Sequence, residues 1–151
     1  MAFQPTIVGR VPLRDSTLAI GTSYDTTPAY QIRVQGSNCV MLQITVALNT
    51  ATSAEVQVEF ATPLQANGTN LDPAPVTADW FARSDGNYTG RTITSGVIAN
   101  PMGAVAFSFA ASGTYEVVLY PVMAKWLRVK AKTTGGPGTT TVSVTGVTGM
   151  A

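Results

Sequence analysis

The side chains that most often carry chemistry are nearly missing from this chain. Its 151 residues include no histidine and a single cysteine. Without histidine there is no commonest general base, no Ser–His or Cys–His nucleophile pair and no ordinary catalytic zinc site. Cys39 has no second thiol for a disulfide or a multi-cysteine zinc site, and no activating neighbour. Beside the apolar Val40 it reads as a small buried hydrophobe. No serine stands three residues before a lysine, so a Ser-x-x-Lys nucleophile is also missing. A glycosidase needs only two acids at a set separation, and Glu55, Glu59 and Glu116 are the strand-borne candidates. Glu55 and Glu59, however, alternate with Val56, Val58 and Phe60, which places them on a solvent face. Asp85 and Asn87 have the spacing of two calcium ligands but lack the further oxygens and distal glutamate of a calcium loop. Asp85-Gly86 reads better as a hairpin turn. Thr-Thr-Gly-Gly-Pro-Gly-Thr-Thr, residues 133–140, has no lysine after its last glycine and reads as a turn, not a phosphate cradle. These residues predict a protein that is not an enzyme and holds neither cofactor nor metal.

Two features point instead to binding. In residues 125–132, alternation sets Leu127, Val129 and Ala131 on one face and Trp126, Arg128, Lys130 and Lys132 on the other. That basic stripe has three readings: a face solvated or paired across strands with Glu55 and Glu59, a contact for an anionic protein surface, or a single-stranded nucleic-acid platform with Trp126 as the stacking ring. The second feature is the N-terminal stretch of residues 1–13, where Pro5 and Pro12 flank an apolar Thr6-Ile7-Val8. It reads either as an edge strand of its own sheet or as an extended arm that adds a strand to a neighbouring subunit. On the arm reading, Phe3, Ile7, Val8 and Arg10 join Trp126, Arg128, Lys130 and Lys132 as partner-binding residues. Trp80, Tyr88 and Trp126 are also aromatic candidates for stacking against a sugar.

Strands must position these side chains. Residues 40–48 put Val40, Leu42, Ile44, Val46 and Leu48 on one face, and residues 55–60 repeat the period of two. With turn formers between them, the two predict an antiparallel hairpin. Further strands are expected at 18–20, 29–34, 80–83, 91–98, 104–109, 114–120, 126–132 and 139–147, and a long loop at 62–79. The strand at 104–109 sets Val105, Phe107 and Phe109 against a small face of alanines and Ser108, which suits coverage on both sides. No helical stripe is present, and valine and threonine dominate. The expectation is an all-β chain: one antiparallel β-sandwich, jelly-roll or immunoglobulin-like, over residues 14–151, preceded by the arm at 1–13.

Composition narrows the partners. Only 11% of residues are charged, against 45% hydrophobic, so threonine, serine, asparagine and glutamine must supply the polar surface. Such a surface costs little to desolvate under another protein. Nine basic and eight acidic residues leave a net charge of +1, which gives no field for nucleic acid or anionic membrane. No apolar run approaches 18 residues, and Ala2-Phe3-Gln4-Pro5 lacks the basic start of a signal peptide. Folding in a cytoplasm is therefore expected, with the sequons at Asn67 and Asn87 unused.

The second half of the chain carries a resemblance. Gly113-Thr114-Tyr115-Glu116, Lys125-Trp126-Leu127-Arg128-Val129-Lys130 and Thr139-Thr140-Thr141-Val142-Ser143-Val144 resemble the closing strands of small β-sandwich virion proteins of tailed bacteriophages. The resemblance implies a capsid decoration or cement protein, made in the host cytoplasm and located on the virion. It would be a homo-oligomer, a trimer by preference, bound to the major capsid protein or another virion protein. Tail and connector components, and receptor- or carbohydrate-binding modules, are the competing roles. No functional residue transfers.

Overall fold

The computed structural model describes residues 6–15, 20–24, 30–34, 37–61, 74–75, 80–81, 88–92, 97–99, 105–120, 122, 124–136 and 139–150. Eleven strands and no helix lie among them: β1 (Thr6–Arg14), β2 (Gln31–Arg33), β3 (Cys39–Ala47), β4 (Ser53–Ala61), β5 (Trp80–Phe81), β6 (Tyr88–Thr92), β7 (Val97–Ala99), β8 (Val105–Phe109), β9 (Gly113–Leu119), β10 (Trp126–Thr134) and β11 (Thr141–Met150). They form two antiparallel sheets. One runs β1-β11-β3-β9-β6-β7, and the other runs β2-β10-β4-β5 with β8 also paired to β4.

With β5 and the β6–β7 hairpin set aside as additions, the remaining strands alternate between sheets except for β4 and β8, which pair within one, and give β1-β11-β3-β9 facing β2-β10-β4-β8. This strand order is a jelly roll, which decides between the two sandwich types expected from sequence. The alternation of side chains explains the layering. On β3, β4, β9, β10 and β11 every second residue is buried, and these residues meet as one core that includes Leu42, Ile44, Val56, Val58, Phe107, Leu119, Leu127 and Val144. Each such side chain contributes about 1.5–3 kcal/mol on leaving water. A sheet with one apolar face finds that partner only in the other sheet.

Several expectations are corrected. β3 and β4 form no hairpin: β3 pairs with β11 and β9, whereas β4 pairs with β10, β5 and β8. Their connection arches from one sheet to the other. It turns at Asn49, whose φ of 47° lies in the left-handed region that asparagine tolerates better than most residues. The β10–β11 connection arches beside it, and the two are stitched by Asn49 Nδ2 to Thr139 O at 2.6 Å, Thr50 Oγ1 to Gly136 O at 3.1 Å and Thr52 N to Thr134 O at 2.9 Å. Gly135 and Gly136 take φ values of 66° and 50° there, and a Cβ on Gly136 would stand 2.3 Å from Thr50 O. The single strand expected at 91–98 is instead the β6–β7 hairpin. β8 is not covered on both sides: Phe107 and Phe109 are buried, but Ser108 and Ala110 are exposed. Cys39 is half-buried on the outward side of β3 and not in the core.

The N-terminal strand changes most. Residues 6–14 do not project as an arm. They form β1, antiparallel to β11 from Thr6 opposite Met150 to Arg14 opposite Val144. The sandwich therefore includes Thr6–Arg14, ahead of the expected boundary at residue 14. The anchor is Leu13, fully buried over Gly146. A Cβ on Gly146 would come within 2.9 Å of Leu13 Cδ1 and 3.1 Å of Ile32 Cδ1, so the missing side chain makes the space that Leu13 fills. Arg14, also buried, donates from Nη1 to Val142 O at 2.7 Å. Pro12 is tolerated because β1 is an edge, and register shifts at Ile7/Gly9 and Pro12/Arg14 break the regularity of that edge. Phe3, the strand expected at 18–20 apart from Ile20, most of the 62–79 loop, and Asp85 with Asn87 lie outside the described residues.

Candidate functional site

The basic stripe is built by β10, which lies between β2 and β4. Leu127, Val129 and Ala131 enter the core, and Trp126, Arg128, Lys130 and Lys132 face outward, each half-buried. Register then decides their electrostatics. Arg128 stands opposite Glu59, Lys130 opposite Gln57 and Lys132 opposite Glu55. Arg128 Nε donates to Glu59 Oε2 at 2.6 Å, Lys130 Nζ reaches Glu59 Oε1 at 3.0 Å, and Lys132 Nζ reaches Glu55 Oε1 at 3.2 Å. Two aromatic rings flank the ladder. The Arg128 guanidinium lies 4.3 Å from the centre of the Trp80 ring, and Lys132 Nζ lies 4.5 Å from the centre of the Tyr24 ring. The Tyr24 hydroxyl donates to Glu55 Oε1.

Burial grades the pairs along the ladder. Glu59 and Arg128 keep 9% and 14% of their side-chain exposure, whereas Lys132 and Glu55 keep 31% and 29%. Glu59 is thus an acid buried by its own cations, not the solvated charge its alternation predicts. An incoming anion would have to displace Glu59 from two donors at once. The Trp126 indole N–H is buried without a hydrogen-bond partner among the described residues, and one face of Trp80 is taken by Arg128. Among the described residues no group of three His, Cys, Asp or Glu could hold a metal ion.

The sequence-derived partner residues do not converge. Arg10 lies on the other sheet, exposed, with Nη2 donating to Gln43 Oε1 at 3.3 Å. Ile7 and Val8 lie in the backbone of β1 beside β11. The four residues of β10 face away from them across the thickness of the sandwich. Tyr24 and Trp80, which complete the ladder, were invisible to spacing because they arrive from β5 and from the β1–β2 connection.

Sequence reasoning also passed over the outer face of the six-stranded sheet. Register aligns Arg10, Val147, Met41 and Val118 in one row, Pro12, Thr145, Gln43 and Glu116 in the next, and Ser143, Thr45 and Thr114 in a third. Thr45 Oγ1 and Thr114 Oγ1 share a hydrogen bond at 3.2 Å. Cys39 and the exposed Tyr120 lie at one end. The signal was present in the alternate residues of β3, β9 and β11, which are neutral apart from Glu116, where three of the four on β10 are cationic. Burial raises the pKa of the Cys39 thiol, so it behaves as an apolar surface group.

No protein-family model matches the chain, and no curated protein matches it. The fold is similar to that of a solved prophage protein, the SPBc2 prophage-derived protein YomS. The TM-score is 0.50 and the identity 13%, over 99% of this chain and 97% of that one. At that identity the likeness speaks for the fold, which extends end to end through both chains.

Proposed function

We propose that this chain is a non-enzymatic virion structural protein of a tailed bacteriophage, and more narrowly a decoration or cement protein that binds the major capsid lattice through subunit contacts. The observation that carries this reading is the likeness in fold to a prophage-derived protein over 99% of this chain and 97% of that one. Surface chemistry supports it. The cationic stripe of β10 is engaged by Glu55 and Glu59, which leaves, among the described residues, the mostly neutral outer face of the six-stranded sheet. A face of that kind is inexpensive to desolvate over a large area and offers little grip on a small ligand.

The test uses heads purified from the phage that carries this gene, with the gene deleted, and the purified chain added back. A cement protein binds these heads to saturation and raises the temperature at which they release DNA, because a ligand of the assembled state stabilises that state. Heads whose release temperature is unchanged by saturating chain would overturn the cement reading. Recovery of the chain on purified tails instead would move it to the tail.

A further inference from the structure

We propose that the outer face of the six-stranded sheet pairs with the same face of a second copy of this chain, about a two-fold axis parallel to the strands and lying between β11 and β3. The proposal rests on the reading of the chain as a protein that acts through subunit contacts, and it names the surface.

The two outer faces of the sandwich differ in what they can accept. The β10–β4 face holds three cations and two carboxylates. Copies of it brought together would oppose like charges and strip water from ion pairs already half-desolvated. The rows across β1, β11, β3 and β9 contain two charged residues, Arg10 on the edge strand β1 and Glu116 on β9 opposite Arg91 of β6, with Val147, Met41, Thr145, Gln43, Ser143 and Thr45 between them. A two-fold axis between β11 and β3 lays each row on itself. Val147 of one copy meets Met41 of the other, Thr145 meets Gln43, and Ser143 meets Thr45. The same axis lays β1 over β9, so that Arg10 of each copy arrives beside Val118, one row from Glu116 of the other. That offset is about 7 Å along the strand and within the reach of an arginine. Few charges, and apolar and neutral polar rows matched to themselves at the centre, suit an isologous contact.

The area is sufficient. Strands β1, β11, β3 and β9, of 9, 10, 9 and 7 residues, average about 30 Å, and at about 4.8 Å spacing they give a plane of roughly 570 Å². The accessible surface of a pleated face exceeds its projection, which brings each copy close to the ~800 Å² per partner of a standard stable interface. Aligned packing, with strand directions within about 30° of each other, is the ordinary geometry for two such sheets. The register shifts and Pro12 on β1 disfavour edge-to-edge growth at the strand that borders this face.

Sedimentation velocity of the purified full chain, from about 1 to 100 μM, tests the proposal, since interfaces of this size span micromolar to picomolar affinity. The expected species is a dimer. Thr45→Arg places a charge at the centre of each face, opposite its own copy, and should weaken the dimer at least tenfold while circular dichroism keeps the β spectrum. Ser143→Lys should act likewise and serves if Thr45→Arg fails to fold. Gln31→Arg, on the exposed side of β2 in the other sheet, should leave the dimer unchanged. A wild-type chain that stays monomeric at about 100 μM, or a dimer or higher oligomer indifferent to both face substitutions, overturns the proposal. So does a monomer whose binding to heads is lost in Thr45→Arg, because the face then belongs to the capsid. The sedimentation result needs no phage particle, so failure of the dimer and failure of the cement role are read separately.

Discussion

Glu59→Gln removes one negative charge from beneath two cations while keeping the side-chain volume. Arg128 and Lys130 are bonded to Glu59 at 2.6 and 3.0 Å, and the three side chains keep 14%, 19% and 9% of their exposure. Breaking a fully buried pair by removing one partner costs about 3–5 kcal/mol, and an exposed pair is worth about 0–1 kcal/mol. Burial places Glu59 nearer the first limit. The glutamine carbonyl still accepts one hydrogen bond and the cations keep some water, so the expected loss is about 2–3 kcal/mol. For a domain of this length that lowers Tm by about 4–12 °C. Lys132→Met breaks the neighbouring pair, whose side chains are about twice as exposed or more, and should cost under about 1 kcal/mol. Urea titrations followed by far-UV circular dichroism, at one fixed protein concentration, give both values. Repeating them in 1 M salt separates the two pairs further, because partly buried charges are screened less than exposed ones. The reasoning is refuted if Glu59→Gln costs no more than Lys132→Met, or if its cost disappears in high salt.

Three further outcomes are expected. Gly136→Ala forces a Cβ against Thr50 O at a φ of 50° and should destabilise by about 1–3 kcal/mol in the same urea assay, where an ordinary surface substitution stays within about 0.5 kcal/mol. Gly146→Val overpacks the space that holds Leu13 and Ile32, at a cost of about 1–3 kcal/mol. Leu13→Ala should then cost less in the Gly146→Val background than alone, and a double-mutant cycle with no coupling would contradict the docking of β1 on its own sheet. Cys39 should react with Ellman's reagent at pH 8 more slowly in the folded chain than in urea, because burial raises its thiol pKa and the thiolate is the nucleophile. The sign follows for stability: the folded state holds the thiol proton longer, so this contribution is full below the unfolded thiol pKa and is lost as pH rises from there through the raised folded pKa. Equal labelling rates in the two states would refute the burial argument.

What the sequence determined is local. The period of two in residues 40–48, 55–60 and 126–132 fixed which side chains of β3, β4 and β10 face the core, because successive side chains of a strand point to opposite faces whatever it pairs with. The absence of histidine and the single cysteine were equally plain, as was the grouping of Trp126, Arg128, Lys130 and Lys132 on one side. Tertiary structure decided everything that depends on which strand lies beside which. Two consecutive strands with one apolar face each can join edge to edge as a hairpin or stack face to face as an arch, and both bury the same residues. β3 and β4 took the arch because β10 and β11, some 70 to 100 residues further along, supply their edges. The same pairing brought Glu59 against Arg128 and so closed the basic stripe. It also drew residues 6–14 onto β11, where Gly146 leaves the space that Leu13 fills. Alternation is a property of the chain, whereas neighbourhood belongs to the sheet.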